Sequence, residues 1–294
     1  MIKLATMRVV LFVLAGLIVS GCTTISRTRL DTLAAAEPKN KEVMERKGKL
    51  VQLSDDTEKN TRPVLVLLHG ATDNPSEMME IARQWKKEYA VFLFSYNYHV
   101  PVRKVASQFT REMQRLKTEN RFGERVTVVT YSYAAIVFRE AVITAPDPAL
   151  FSRASLIQLV PTAGGSRLAW AMQVPLLALL VGLVSNPSVA EDPYGSFAKE
   201  IWEGEGNQKF YAIINPTRMQ TILVEGDSHS LARVRNQKIQ RRYKNGVGKN
   251  VVIIPKGVGV DHDYFPNEPA ALQYLKKALE LPNAGTDSAR NSAG

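Results

Sequence analysis

Ser132 lies between a β-branched run and a stretch with helical character, a context that can turn a serine hydroxyl into a nucleophile. The run from Val126 to Thr130 has the composition of a buried strand, and the helical stretch begins two residues after the serine. A sharp turn between a strand and a helix lifts the middle hydroxyl out of the sheet and tolerates only small neighbours. Thr130 and Ala134 stand where the usual G-x-S-x-G pattern has glycine. Ser132 is therefore a candidate nucleophile that needs partners elsewhere in the chain.

Carboxylates that could orient a catalytic histidine follow two later apolar runs, 221–224 and 251–254. Asp227 is the leading candidate for this acid, and Glu225 and Asp261 are the alternatives. A buried strand of a parallel sheet delivers the residues after it to the carboxyl edge of the sheet, where functional loops collect. The acid is therefore expected near the same sheet edge as Ser132.

The general base must be one of four histidines, and His262 is the leading candidate. His262 follows the apolar run 251–254, whereas His69 ends an earlier strand and is expected to be structural. His229 lies beside the candidate acid, and His99 follows a tyrosine. With His262 as the base, the chain order is Ser, Asp, His, which differs from the orders of two protease families that share this triad geometry.

A histidine–glycine pair ends the apolar run 64–68 and opens a loop. Pro63 and Gly70 bound the run, as expected for a strand that is buried on both faces of a parallel sheet. Backbone N–H groups in such a loop can point at the negative charge that develops on a carbonyl oxygen. The chain therefore offers an oxyanion loop, a nucleophile, an acid and a base, each after a strand-like run.

These features, in this order, resemble those of the α/β-hydrolase superfamily, and in particular its lipase and esterase branch. The resemblance covers residues 48–281, and the run 91–96 with its following loop is similar to the fourth strand of lipases. It implies an α/β fold with a doubly wound, mostly parallel sheet of the α/β-hydrolase type. It also implies a helical cap inserted at about 163–215.

The resemblance implies a role for each candidate residue. Ser132 would attack an ester or thioester carbonyl, His262 would be the general base, and Asp227 would hold the histidine in the right tautomer. The backbone N–H groups of Ala71 and Tyr133 would stabilise the oxyanion. Hydrolysis of a carboxylic ester through an acyl-enzyme is thus the expected activity.

Other functions remain open at the level of sequence. Peptidases, thioesterases and acyltransferases use the same triad. The alternative from another class is a hydrolase-fold protein without activity, which serves as an envelope scaffold or a ligand-binding lipoprotein. Thr130 at a glycine position, and a histidine where many relatives have the acid, are the departures that favour this alternative.

Strand-like and helical patterns alternate along the chain. Apolar or β-branched runs predict strands near 49–53, 64–68, 90–95, 125–130, 155–160, 220–224 and 250–254. Helical spacing of apolar residues predicts helices around 78–89, 105–116, 134–143 and 270–279. Such alternation implies a parallel sheet with helices on both faces, and the strand near 49–53 is expected to be an antiparallel edge.

The segment 168–190 interrupts this alternation, because it is apolar and carries no charged residue. Pro175 and Gly182 break its apolar run. A lid over the active site, with an apolar inner face for an acyl chain, is the favoured interpretation, and a buried core helix is the next. A transmembrane span has the required length. It would, however, divide the strands of one sheet across a bilayer, so it is the least favoured.

Residues 1–21 have the pattern of an export signal. Lys3 and Arg8 precede the short apolar stretch 9–19, and small residues lead to Cys22. The tetrapeptide Val-Ser-Gly-Cys resembles the bacterial lipoprotein box, in which the cysteine becomes the lipidated N-terminus. Cys22 is the only cysteine, so it cannot form an internal disulfide.

The predicted organisation is a signal peptide at 1–21, a lipidated N-terminus and tether at 22–47, the hydrolase domain at 48–281, and a disordered tail at 282–294. Thr23 follows the candidate lipidation site, and the resemblance then implies sorting to the outer membrane of the bacterial envelope, facing the periplasm. The expected partners are this membrane and an acyl ester or lipid substrate.

The chain is basic, with a formal net charge of +10, and about +8 remains after loss of residues 1–21. This balance favours anionic lipid surfaces. Nucleic acid is not expected as a partner, because no binding motif accompanies the charge and the chain has an export signal. The four histidines lack metal-ligand spacing, and no phosphate loop or dinucleotide motif occurs, so neither a metal nor a cofactor is expected.

Overall fold

A computed structural model describes eleven parts of the chain. These are residues 40–53, 62–70, 75–97, 100–122, 125–161, 205–224, 250–255, 258, 260, 265–266 and 268–280. Several predictions from the sequence fall outside them. They are the signal peptide, most of the tether and of the cap, the apolar segment 168–190, the C-terminal tail, and the residues Cys22, Ala71, His99, Glu225, Asp227, His229, Asp261 and His262.

Seven strands form one sheet in the described residues. They are β1 (Lys49–Gln52), β2 (Val64–Leu68), β3 (Ala90–Ser95), β4 (Val126–Tyr131), β5 (Ala154–Leu159), β6 (Met219–Val224) and β7 (Val251–Ile254). Their order in the sheet is β1-β3-β2-β4-β5-β6-β7. β1 is antiparallel to β3, with Lys49 opposite Ser95, and the other neighbouring pairs are parallel. The carboxyl ends of β2 to β7 therefore meet at one edge of the sheet.

Helices cover both faces of this sheet. They are α1 (Asn40–Glu45), α2 (Met79–Trp85), α3 (Val102–Thr118), α4 (Ala134–Thr144), α5 (Glu205–Ile213) and α6 (Pro269–Glu280). Single 3₁₀ turns occur at Pro75–Met78, Pro148–Leu150 and Pro216–Arg218. No helix in these ranges is both long enough and apolar enough to cross a membrane.

The sheet separates two apolar cores. All five residues of β2 are buried, as expected for a strand between two helical layers. Val66 belongs to the core under α3, α4 and α5, whereas Leu67 belongs to the core under α1, α2 and α6. Successive side chains of a strand point to opposite faces, so one apolar run supplies both cores.

The predicted strands agree with the observed ones to within one residue at each end. The helix predicted around 78–89 is shorter, because Pro75–Met78 is a 3₁₀ turn and α2 ends at Trp85. Part of the predicted tether forms α1, and Val43 of this helix is fully buried against the core that α2 and α6 share. Its two apolar residues, Val43 and Met44, are adjacent, so the segment shows no helical period from which a helix could be predicted.

Candidate functional site

Ser132 forms the sharp turn between β4 and α4. Its φ angle is +52°, in the left-handed region that residues other than glycine seldom adopt. Its N–H still donates to the Leu159 carbonyl of β5, at 2.9 Å, as a continuing strand would. Its own carbonyl already accepts from the Ala135 N–H, at 3.2 Å, as the first turn of a helix would. The chain thus changes from strand to helix at this one residue.

The residues on either side of Ser132 are tightly packed. Thr130 and Ala134 are fully buried, and Ser132 itself is 7% exposed. Ala134 belongs to the core that covers one face of the sheet. Small side chains at these two positions let the start of α4 lie directly on the sheet, which is the physical reason for glycine in the usual pattern.

The loop after β2 lies beside this turn. β2 and β4 are neighbours, with Leu68 opposite Thr130. A Cβ atom on Gly70 would lie 3.0 Å from the Tyr131 ring and 3.3 Å from a Glu77 carboxylate oxygen. The backbone at Gly70 thus passes close to Tyr131, the residue before Ser132, and glycine leaves room for this close approach.

Two hydrogen bonds determine the tautomer of His69. The Tyr96 N–H donates to His69 Nε2, at 3.2 Å, and the Gly70 carbonyl oxygen lies 2.9 Å from Nδ1. A backbone N–H can only donate and a carbonyl can only accept, so Nε2 carries the lone pair and Nδ1 the hydrogen. The ring also stacks on Tyr96, with 4.1 Å between ring centroids.

His69 is thereby unsuited to act as a general base. Burial, with a smaller contribution from the charge of Lys47, lowers the pKa of His69 to about 3. Its only lone pair already accepts a hydrogen bond from the backbone, so it cannot take the proton of a serine. These contacts agree with the structural role expected for His69.

Glu77 and Tyr96 both hold the start of the loop after β2. A carboxylate oxygen of Glu77, which is 2% exposed, accepts from the Gly70 N–H at 3.1 Å. The Tyr96 hydroxyl donates to the His69 carbonyl at 2.5 Å. The amide of Gly70 is thus engaged within the protein. The predicted donor, Ala71, is the next residue and lies outside the described ranges.

The sequence analysis missed the roles of Glu77 and Tyr96. Glu77 is separated from its partner by seven residues, and Tyr96 from its partner by 27. The partners of each bond lie in different elements of the chain, so no local pattern indicates the contact. The only sign in the sequence is that an acidic residue, Glu77, stands shortly after Gly70.

A second left-handed residue ends β5, directly beside the serine. Val160 has a φ of +40°, and its N–H donates to the Ile222 carbonyl of β6 at 2.8 Å. A positive φ is a genuine outlier for a β-branched residue. Strained residues of this kind collect at functional edges of folds. The chain therefore leaves the sheet abruptly here, at the point where the predicted cap insertion begins.

The acid and base candidates lie outside the described residues, but the strands that precede them are described. Asp227 comes three residues after the end of β6, and His262 comes eight residues after the end of β7. Both strands are parallel to β4. β6 and β7 therefore end at the same sheet edge as β4, two and three strands away from it.

Tyr133, the predicted second oxyanion donor, is described and largely buried. It is the N-cap residue of α4, so its N–H lies at the positive end of the helix macrodipole. Among the described residues, no three side chains of His, Cys, Asp or Glu are grouped so that they could hold a metal ion.

The sequence matches no family model and no curated protein, whereas solved structures share its fold. The mature lipase BlEst2 of Bacillus licheniformis aligns with 80% of this chain and 99% of its own, at 15% identity and a TM-score of 0.53. Esterase B of Lactobacillus rhamnosis aligns with 95% of this chain and 98% of its own, at 12% identity and a TM-score of 0.53. Together with the sheet topology, these similarities confirm the predicted α/β-hydrolase fold; the helical cap lies mostly outside the described residues.

Proposed function

We propose that this protein is a membrane-anchored serine hydrolase that cleaves carboxylic esters. The observation that carries the proposal is the left-handed Ser132 at the carboxyl edge of β4, next to the loop after β2. A strained residue at such a turn holds its hydroxyl at the sheet edge. The fold is shared with a lipase and an esterase, which makes ester cleavage the first reaction to test.

In the proposed reaction, the Ser132 hydroxyl attacks the ester carbonyl while His262 takes its proton. Asp227 keeps the imidazole oriented and stabilises its charged form. The oxygen–acyl bond to Ser132 forms, the ester C–O bond breaks, and His262 returns the proton to the leaving alcohol. A water molecule then attacks the acyl-enzyme, which releases the carboxylic acid and restores the serine. The N–H groups of Ala71 and Tyr133 bind the oxyanion in both steps.

The order of the strands supports this assignment of acid and base. β6 and β7 follow β4 and β5 in the sheet, so their carboxyl ends lie along the same edge. His69 is the one histidine in the described residues, and its lone pair is engaged by the Tyr96 N–H. The base is therefore sought among the other histidines, of which His262 follows β7.

The test is covalent labelling of the Cys22→Ser chain with a fluorophosphonate probe, which reacts with activated serines. Labelling should disappear in Ser132→Ala and fall at least about 100-fold in rate in His262→Ala. Asp227→Asn should also slow it strongly, because the imidazole loses its orienting carboxylate. Hydrolysis of a series of p-nitrophenyl esters would then report the preferred acyl length.

Ser152→Ala is the matched control, because Ser152 is an exposed serine that donates to the Ala149 carbonyl far from the sheet edge. It should label as the parent chain does. A well-folded parent chain that neither labels nor hydrolyses any ester would overturn the proposal. That result would favour the alternative of an inactive envelope scaffold or ligand-binding lipoprotein.

The proposed anchor is a lipid on Cys22, which would place the domain at the bacterial outer membrane, facing the periplasm. Metabolic incorporation of labelled palmitate into the parent chain, and its loss in Cys22→Ser, tests the modification. The parent chain should sediment with outer-membrane fractions, and the variant should be released as soluble protein. Labelled lipid that persists in the variant would refute the assignment to Cys22.

A further inference from the structure

A cavity of about 660 Å³ lies beside the edge strand β1, between α1 and α3. This volume is in the range of pockets that hold small molecules. Strands β3 and β2 separate β1 from β4, so the cavity is about 14 Å across the sheet from the candidate nucleophile. It is therefore a different place from the proposed active site.

Cations outnumber carboxylates around this cavity. Its lining includes four cations and two carboxylates, namely Arg46, Lys49, Arg115, Arg121, Glu42 and Glu112. A third carboxylate, Glu119, does not line the cavity but pairs with Arg115 at 2.9 Å. The cations therefore outnumber the carboxylates even when Glu119 is included.

Glu112 is already saturated by groups of the protein. One of its oxygens accepts from Lys49 at 3.0 Å, and the other accepts from the Leu50 N–H at 3.1 Å and from Arg115 at 3.0 Å. Its side chain is only 5% exposed. Glu112 therefore pairs with Lys49 and, together with Glu119, compensates Arg115, so it contributes no charge to the other cations of the lining.

Arg121 is the cation that the described carboxylates leave uncompensated. Its guanidinium lies 5.3 Å from the centre of the Phe92 ring, and one Nη group donates to the side-chain oxygen of Gln52. Both contacts orient the planar group without cancelling its charge. Within the described residues, no carboxylate forms an ion pair with it, so its remaining N–H donors can serve a ligand.

Arg46 can contribute a second donor. It pairs with Glu42 at 3.2 Å, but the two side chains are 62% and 40% exposed. An exposed pair of this kind contributes little free energy, so the guanidinium can turn towards a ligand at small cost.

We propose that this cavity binds a phosphate group through Arg121 and Arg46. Guanidinium groups match the oxygens of phosphate in pairs, and the negative charge of a phosphate would compensate the cation that Glu42, Glu112 and Glu119 leave in excess. A peptide strand is a poorer occupant, because Glu112 and Arg115 already occupy the Leu50 N–H and carbonyl on the open side of β1. The phosphate could belong to a soluble compound or to a lipid headgroup.

The test is calorimetric titration of the full chain with inorganic phosphate at constant ionic strength. Arg121→Gln should raise the dissociation constant at least about tenfold, and Arg46→Gln should raise it several-fold, because each removes a charged donor. Arg153→Gln is the matched control. It removes one exposed positive charge at the amino end of β5, about 19 Å from β1. It should change the constant less than twofold.

Vesicles identify the source of the phosphate. If sedimentation with phosphatidic acid in phosphatidylcholine vesicles depends on Arg121, the ligand is a lipid headgroup. If binding of inorganic phosphate depends on Arg121 and binding to vesicles does not, the ligand is a soluble compound. No phosphate binding by the parent chain, or an equal loss in all three variants, would overturn the proposal. Circular dichroism confirms that each variant is folded, and ester hydrolysis need not change in any of them.

Discussion

At the scale of single residues, the conformation of Ser132 costs folding free energy. A side chain in the left-handed region is destabilised by about 1–2 kcal/mol relative to the right-handed helix, because its Cβ crowds the backbone. The backbone hydrogen bonds to Leu159 and from Ala135 hold the turn in place despite this cost. The left-handed conformation of Ser132 thus lowers the free energy of unfolding of the protein.

This cost predicts an unusual pair of stability changes. Ser132→Gly should be more stable to urea than Ser132→Ala by about 1 kcal/mol, because glycine adopts a positive φ without steric penalty. Both variants remove the hydroxyl, so neither should react with a serine-directed probe. Equal free energies of unfolding for the two variants would show that the turn relaxes when the serine is replaced.

His69 gives the protein a defined dependence of stability on pH. Burial lowers the pKa of His69 to about 3, whereas an unfolded histidine titrates near its ordinary value of about 6.5. Between these values the unfolded chain binds a proton that the folded chain does not. The stability that neutral His69 contributes is therefore fully present above about pH 6.5 and is lost as the pH falls towards 3.

His69→Gln should flatten this part of the pH profile, since glutamine does not titrate. The variant should be less stable than the parent chain at pH 7, because its hydrogen bonds are less well placed, and the difference should shrink as the pH falls to 4. Urea unfolding at several pH values measures both slopes. Parallel profiles would mean that His69 is protonated in the folded protein at moderate pH.

At the scale of elements, the edge of β1 is protected by α3. An unpaired strand edge invites pairing with another chain. Glu112 accepts from the Leu50 N–H and Arg115 donates to the Leu50 carbonyl, at 3.1 and 3.4 Å. Burial alone would raise the pKa of Glu112, but hydrogen bonds from Lys49 and Leu50 and the Arg115 charge outweigh it and lower the pKa. The stability that ionised Glu112 contributes is present above the pKa that Glu112 has in the unfolded chain. It is lost as the pH falls through the lower pKa of Glu112 in the folded protein.

Glu112→Ala should expose this edge. We expect a loss of about 2 kcal/mol in the free energy of unfolding, from the missing hydrogen bonds to a charged acceptor. Hydrogen exchange at the Leu50 amide should accelerate, and light scattering should detect association at high protein concentration. Glu119→Ala is the matched control. Glu119 is the C-cap residue of α3 and an exposed partner of Arg115, so its loss should change stability by less than about 0.5 kcal/mol. Similar losses in both variants would contradict the protective role.

The elements were more predictable from the sequence than the contacts between them. The apolar runs of β2 and β4 identify buried strands, because both faces of the sheet are covered. Arg139 shows what such patterns miss. It lies fully buried on α4 and donates to Asn207 and Tyr211 of α5, 68 and 72 residues away. A charged residue in a helical pattern predicts an exposed face, and only the tertiary partners reverse that expectation.

The same limit applies to the candidate site. The position of Ser132 follows from a local change of pattern, from strand to helix within three residues. The hydrogen bonds of His69 and Glu77 depend on how the loop after β2 folds back onto its neighbours. This geometry leaves no periodic pattern in the sequence. Ser132 could therefore be predicted, whereas the contacts of His69 and Glu77 could not.

At the scale of the whole molecule, the sheet divides the apolar interior into two cores that respond separately to substitution. Phe109 and Phe138 share one core, with ring centroids 6.2 Å apart, and Leu275 of α6 belongs to the other. We expect a cavity in one core to leave the packing on the far side of the sheet unchanged. Substitutions in different cores should therefore be independent.

Three variants test this division. Phe109→Leu, Phe138→Leu and Leu275→Val should each destabilise the protein by about 1 kcal/mol. The double variant at 109 and 275 should be additive to within about 0.5 kcal/mol, and the double variant at 109 and 138 should deviate from additivity by more. Urea unfolding measures both cycles. Coupling of equal size in the two cycles would show that the sheet transmits packing changes between its faces.

The close approach of Gly70 to the Tyr131 ring also bears on how this sequence can change during evolution. A methyl group at position 70 would lie 3.0 Å from two ring carbons, so alanine there requires the ring to shift, and a smaller residue at 131 would relieve the contact. A lineage that replaces the tyrosine first opens the space before the methyl group arrives, whereas one that gains the alanine first passes through a strained intermediate. Descendants of a common ancestor should therefore show replacements at 131 before those at 70, and the two positions should be inherited as a pair.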